Sequence, residues 1–244
     1  MAYQAIFKRY ELKYMLTGQQ KEIILEAMKP YMALDDYGRT TIRNIYYDTD
    51  NYRLIRRSIE KPAYKEKLRV RSYRQVNAEE NVFVELKKKY ESVVYKRRLH
   101  MPQQQAERWL ATGQQPGQGK RSATTQISAE IDYFLKFYES LHPVLFLSYE
   151  REAYYSLTGD DFRVTFDDHI LCRQEDLSLT AEVKGEPILE EGKVLMEIKC
   201  SGGIPLWMTE VLSREKIFKT SFSKYGTAYQ NIIYPRLREG MKNA

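Results

Sequence analysis

Cysteine, histidine and long apolar runs are all scarce in this sequence of 244 residues. Its two cysteines, Cys172 and Cys200, lie far apart and outside any CxxC spacing. That excludes a disulfide framework or a zinc knuckle and reads as free thiols in a reducing compartment. The three histidines, His100, His142 and His169, show no metal-ligand spacing, which excludes a histidine-based metalloenzyme. No apolar run approaches the ~20 residues of a membrane-spanning helix. Lys8, Arg9, Glu11 and Lys13 crowd the start with no apolar region behind them, so no signal peptide is expected. A cytoplasmic location follows as an expectation, with membrane association through a partner protein left open. No internal repeat or heptad run is visible. The one weak linker, TGQQPGQGKRSATT over 112–125, reads as a surface loop between two helices, and 1–244 is expected to form one domain.

Charge and tyrosine are plentiful. Lys and Arg number 39 against 33 Asp and Glu, a net +6, and there are 20 tyrosines. A basic excess of this size points only weakly to a polyanionic partner. Hydrophobic residues make up 43%, enough for a core. Period-two alternation predicts strands over 6–16, 41–47, 63–74, 81–88, 92–100, 144–157, 162–167 and 194–201. Helices are predicted over 18–31, 51–58, 102–111, 127–140, 205–214 and 224–238. Thr17 should cap the first of these, with Gln20 closing a capping box. Strands joined by short turns, with helices among them, indicate an α+β fold around an antiparallel sheet.

The position of the charge is the informative feature. Alternate residues of a strand share a face. Lys65, Lys67, Arg69 and Arg71 therefore fall on one face, with Leu68 and Val70 on the other. Glu85, Lys87 and Lys89 alternate with Val84 and Leu86, and Lys96 pairs with Arg98. Arg9, Glu11 and Lys13, then Arg163, Thr165 and Asp167, then Glu197 and Lys199, repeat the pattern. Any one such face could be merely solvated. Six of them, mostly cationic and backed by apolar faces with helices to cover them, suit the lining of a barrel of about eight strands, a size that holds side chains or one ligand. Crowded cations in a partly dry space need an anion. Arg matches phosphate oxygens bidentately and Lys supplies point charge. A carboxylate in such a lining either neutralises a cation or holds Mg²⁺ or Mn²⁺ jointly with phosphates. A triphosphate or phosphate-chain site with a divalent metal is therefore expected.

Seven segments, RYELKY, KLRVRSY, VELKKKYESVVYKRR, YEREAY, RVTFD, LMEIK and FSKYG, occur in this order. Together they resemble the vacuolar transporter chaperone (VTC) domain, the polyphosphate polymerase branch of the triphosphate tunnel metalloenzymes, over roughly 10–234. The resemblance implies an antiparallel β-barrel forming a tunnel, flanked by helices, with ATP as donor and polyphosphate as product. It implies catalytic phosphate contacts at Arg69, Arg71, Lys87, Arg151, Arg163 and Lys199. Substrate contacts would come from Lys13, Lys224 and, from the charged faces, Lys67, Lys96 and Arg98. Tyr149 would lie against the nucleotide base, and Glu197 would carry Mn²⁺ or Mg²⁺. Where eukaryotic members carry a KFSK-like segment this chain has SFSK, so Ser221 stands in place of a lysine at the acceptor end. The phosphate-sensing domain and membrane helices of eukaryotic relatives are not among these residues, and a lone catalytic domain of bacterial type is expected. ATP and polyphosphate or pyrophosphate are the expected partners, together with a membrane protein if product is exported. Nucleic acid is not expected. A triphosphate or polyphosphate phosphohydrolase and a non-catalytic polyphosphate binder remain the alternatives. No histidine falls in the motifs, which favours in-line transfer over a phosphohistidine route.

Overall fold

A computed structural model describes residues 10–91, 93–115 and 123–242. Arg9, the 6–9 start of the first expected strand and the middle of the 112–125 linker lie outside the described residues. The elements are β1 (Tyr10–Thr17), α1 (Gly18–Met28), β2 (Met32–Leu34), β3 (Thr40–Asp48), α2 (Arg53–Ile59), β4 (Tyr64–Ser72), β5 (Asn81–Tyr90), β6 (Val93–Pro102), α3 (Gln103–Thr112), α4 (Ala123–Tyr138), β7 (His142–Ser156), β8 (Arg163–Arg173), β9 (Glu186–Pro187), β10 (Lys193–Cys200), α5 (Leu206–Arg214), β11 (Lys219–Thr220), α6 (Lys224–Ala228), a π-helical turn (Tyr229–Ile233) and α7 (Tyr234–Lys242). The chain forms two compact units. Among the described residues the first is built from those within 10–41, 149–170 and 189–223, the second from those within 42–91, 93–115, 123–148, 171–188 and 224–242.

In the first unit the strand order is β11-β1-β10-β8-β7, with β2 paired to β7. Alternation sends Leu12, Tyr14 and Leu16 of β1, Val164 and Phe166 of β8, and Val194, Met196 and Ile198 of β10 to one face, where they pack with Ile24 and Met28 of α1 and Met208, Val211 and Leu212 of α5. Each fully buried side chain of this size contributes roughly 1.5–3 kcal/mol. Thr17 accepts from the Gln20 amide while the Gln20 side chain accepts from the Thr17 amide, the capping box expected from the sequence. Helix α1 ends at Met28 rather than Tyr31. Pro30 is the cause: Lys29 keeps helical angles as the C-cap, but proline has no N–H to continue the ladder at Glu26 O.

In the second unit the order is β7-β3-β4-β5-β6. Leu68 and Val70 of β4, Val82, Val84 and Leu86 of β5 and Leu99 of β6 pack beneath Trp109 of α3 and Ile131, Phe134 and Tyr138 of α4. Trp109 is fully buried, and its indole N–H donates to Asp132 of α4 at 2.7 Å. One buried donor is thereby satisfied and α3 is fixed against α4. Pro102 sits at the N-cap of α3, one place before the first turn. The single helix expected over 224–238 is interrupted by the π turn. Pro235 has no N–H to direct at Asn231, and the backbone widens one turn earlier, the Tyr234 N–H reaching Tyr229 O. Strands β2, β9 and β11, of three residues or fewer, carry no periodic signal and were not expected. Strands β11 and β6 end the two orders, so backbone hydrogen bonds do not close the expected barrel among the described strands. No described helix is long and apolar enough to cross a membrane.

Candidate functional site

The charged faces foreseen from alternation are real, and each unit has its own. In the second unit the antiparallel register sets Lys67 opposite Lys87, Lys87 opposite Lys96, and Lys65 opposite Lys89. Like charges directly opposed across a ladder are destabilising. The same registers set Arg69 and Arg98 against Glu85 from its two sides. Glu85 is 1% exposed and is the one carboxylate among the paired residues of this face of β4, β5 and β6. Its Oε2 accepts from Arg69 Nε at 2.8 Å and Nη2 at 2.7 Å. Its Oε1 accepts from Arg98 Nε at 2.6 Å and Lys96 Nζ at 2.8 Å, and Arg71 Nε lies 3.9 Å from Oε2.

Further groups fix the cations in place. Arg69 Nη1 donates to the Tyr46 hydroxyl at 3.1 Å, and Arg98 Nη2 to the Tyr73 hydroxyl at 2.9 Å. The Arg98 guanidinium also lies 4.4 Å from the centre of the Phe83 ring, a cation–π contact. Arg71 Nε donates to Asn44 Oδ1 at 2.9 Å, and Asn44 in turn donates to Leu147 O at 3.0 Å. Burial alone would raise the Glu85 carboxyl, but Arg69, Arg71 and Lys96 outweigh it and hold it well below the usual carboxylate range. Lys96 is lowered to about 8, first because its crowded position costs the ammonium its water; Glu85 opposes this, and Arg98 and Arg69 add to it. Lys65 is lowered by burial and by Lys89, Lys61 and Lys87. One carboxylate thus serves four cations, with a row of lysines beside it.

The first unit is more evenly balanced. Arg151 grips Asp167 bidentately, Nε to Oδ1 at 2.6 Å and Nη2 to Oδ2 at 2.7 Å. Asp167 is fully buried, and the Arg151 guanidinium lies 5.1 Å from the centre of the Tyr149 ring. Glu197 is paired with Lys199 at 2.7 Å and with Lys13 at 3.7 Å; Lys13 also donates to Phe222 O at 2.9 Å. Glu11 stands opposite Lys199 and Lys199 opposite Arg163 in the ladders. Arg163 and Ser221 are exposed.

The structure therefore brings Arg69, Arg71, Lys96 and Arg98 together around Glu85, with Lys67 and Lys87 in the adjoining rungs. It gathers Lys13 and Lys199 at Glu197, while Arg151 pairs with Asp167. Lys224 begins α6 in the second unit, and Ser221 belongs to the first. Tyr149, 3% exposed, packs under Arg151. Glu85 and Asp167 were placed on charged faces by the sequence but given no role. A lone carboxylate two residues from lysine, inside a cationic strand, was the available signal. Glu150 and Glu152, which alternate with Arg151 along β7, engage Thr41 at 2.8 Å and Lys21, respectively.

The donor set limits the metal that could bind. Among the described residues no group of three or more His, Cys, Asp or Glu could hold an ion. Glu197 offers one carboxylate, flanked by two ammonium groups. This fits a hard cation that arrives with phosphate oxygens and water completing its shell, as Mg²⁺ and Mn²⁺ can, and not a cage built from protein alone.

Two solved structures show the same fold. A candidate adenylate cyclase from Bacillus halodurans superposes with a TM-score of 0.52 at 14% identity, covering 89% of this chain and 94% of that one. A candidate adenylyl cyclase from Hippeastrum, described as having a dominant triphosphatase activity, gives 0.50 at 15% identity, covering 90% of this chain and 94% of that one. These likenesses bear out the antiparallel, helix-flanked tunnel fold expected from the sequence. No curated protein matches the chain. Residues 8–233 match the VTC domain, and the chain belongs to the VTC domain family.

Proposed function

We propose that the protein is a metal-dependent phosphotransferase that adds the γ-phosphoryl group of ATP to the end of a polyphosphate chain. The observation that carries this reading is the β4–β5–β6 face, where lysines oppose lysines and a single buried carboxylate serves four cations. So many cationic side chains on one face of three adjacent strands match a multivalent anion, and a chain of phosphates can meet them along the whole row. Family membership and the fold support the same substrate class.

In the transfer, a terminal oxygen of the chain forms a bond to Pγ while the bond from Pγ to the bridging oxygen breaks and ADP leaves. Phosphoryl transfer needs positioning and stabilisation of equatorial charge more than covalent chemistry. Arg69, Arg71, Lys87, Arg151, Arg163 and Lys199 are assigned to that stabilisation. Lys13, Lys67, Lys96, Arg98 and Lys224 are assigned to substrate, with Ser221 a weaker contact than lysine and Tyr149 against the nucleotide base. Glu197 would hold Mg²⁺ or Mn²⁺, which supplies positive charge at the phosphate oxygens when bound. The site is assigned to one catalytic domain.

A second reading is favoured by the triphosphatase described for the Hippeastrum protein. Water in place of the chain end would make the same residues a phosphohydrolase. Incubation with ATP and Mn²⁺, with and without a short polyphosphate primer, separates the two when products are resolved by length. Long chains are the expected product; free phosphate alone supports hydrolysis. Glu197→Gln should lower turnover by about 10²–10³-fold, the scale of losing one transition-state contact, while polyphosphate binding persists. Unchanged turnover would remove the metal assignment.

A further inference from the structure

Lys96 is the most exposed member of the array around Glu85, its side chain 41% accessible against 33% for Arg98 and 19% for Arg69. Glu85 lies beneath all three at 1%. The arrangement is layered, a carboxylate floor under a cationic surface. We infer that Glu85 is a positioning residue for oligophosphate binding: it holds Arg69, Lys96 and Arg98 as one array and sets a carboxylate directly against the Lys96 ammonium. The inference rests on the reading of this face as a phosphate surface.

The geometry carries the argument. Each Glu85 oxygen is shared, Oε2 by two nitrogens of Arg69 and Oε1 by Arg98 and Lys96. Arg69 and Arg98 use their Nε edges on Glu85, and the tyrosine hydroxyls of residues 46 and 73 take another nitrogen of each. Lys96 has three N–H donors, and one goes to Glu85. The others can meet phosphate without breaking that bond, so Glu85 does not have to leave when an anion arrives. The charged groups facing Lys96 are Glu85 and Lys87 from β5, Arg69 and Lys67 from β4, and Arg98 from its own strand. Four of the five are cations. Without Glu85 these four cations favour loss of the Lys96 proton, which burial, with Arg98 and Arg69, lowers to about 8.

The test is the affinity for inorganic tripolyphosphate between pH 6 and 9.5, by calorimetry, for the full chain. Wild type should weaken by about tenfold above pH 8, the scale of one charge-assisted hydrogen bond. In Glu85→Gln the same fall should move to lower pH by about one unit, the low end of a neighbouring-charge effect, with near wild-type affinity recovered at pH 6. Lys96→Arg, which cannot lose its proton in this range, should abolish the fall above pH 8, and it serves even if Glu85→Gln fails to fold. A loss in Glu85→Gln that is equal at every pH, an unshifted profile, or a fall that persists in Lys96→Arg would overturn the inference. No binding by wild type at any pH would end the phosphate-surface reading, and this one with it.

Discussion

The charged faces of the two units solve the same electrostatic problem differently. In the first unit the acidic groups are distributed: Asp167 takes Arg151, and Glu197 takes Lys13 and Lys199. In the second unit the single carboxylate of Glu85 meets Arg69, Arg71, Lys96 and Arg98, and the neighbouring rungs are lysine against lysine. A fully buried carboxylate matched to a cation, as Asp167 is to Arg151, adds stability besides any part the cation plays at the site, since breaking such a pair leaves a buried charge less well compensated. On the proposed reading, the cations gathered on the second face are the ones that meet an outside anion. Stability should therefore depend most on the first unit's buried pair, and anion affinity most on the second unit's cationic face.

The largest expected effect is on the first side of that comparison. Arg151→Met should strand the fully buried Asp167 and cost about 3–5 kcal/mol, read by urea unfolding. A loss below 1 kcal/mol would mean the pair is not structural. On the other side, Arg98→Met should cost little stability yet weaken tripolyphosphate binding by about tenfold or more, the worth of a charge-assisted bond. If stability falls and affinity does not, the contrast between the faces is reversed.

A third prediction uses acid. The folded Glu85 carboxyl titrates below its unfolded value of 4.5, so its contribution is fully present above that value and is lost as pH falls through the folded one. Unfolding free energy should drop between pH 5 and pH 3 in wild type and drop less in Glu85→Gln. Equal slopes would deny Glu85 its place as hub. The smallest effect lies away from both faces. Thr17→Ala should remove the capping box of α1 for about 1 kcal/mol, without altering anion affinity.

The alternation that places Lys65, Lys67, Arg69 and Arg71 on one face was legible because a half-buried strand has a period of two, and the structure keeps it without a slip from Tyr64 to Ser72. The Thr17–Gln20 box was legible because capping is local. The hub was not. That Glu85 meets Arg69 on one side and Arg98 on the other depends on two cross-strand registers, which only the folded sheet sets. Asp167 was hidden for the same reason, its partner lying 16 residues away on β7. The π turn was missed because Pro235 sits inside an otherwise helical pattern, where a break and a widened turn look alike in sequence. The open strand order also depends on which strands pair, and alternation within a strand carries nothing about that.

The central claim is that the β4–β5–β6 face receives a chain of phosphates. Hydrogen exchange with and without inorganic tripolyphosphate tests it most directly. The account predicts slowed exchange in 64–72, 81–90 and 93–102 on addition of saturating anion, and markedly less slowing in Arg98→Met than in wild type at an anion concentration near the wild-type Kd. Protection confined to other segments, or none at saturating anion, would contradict it.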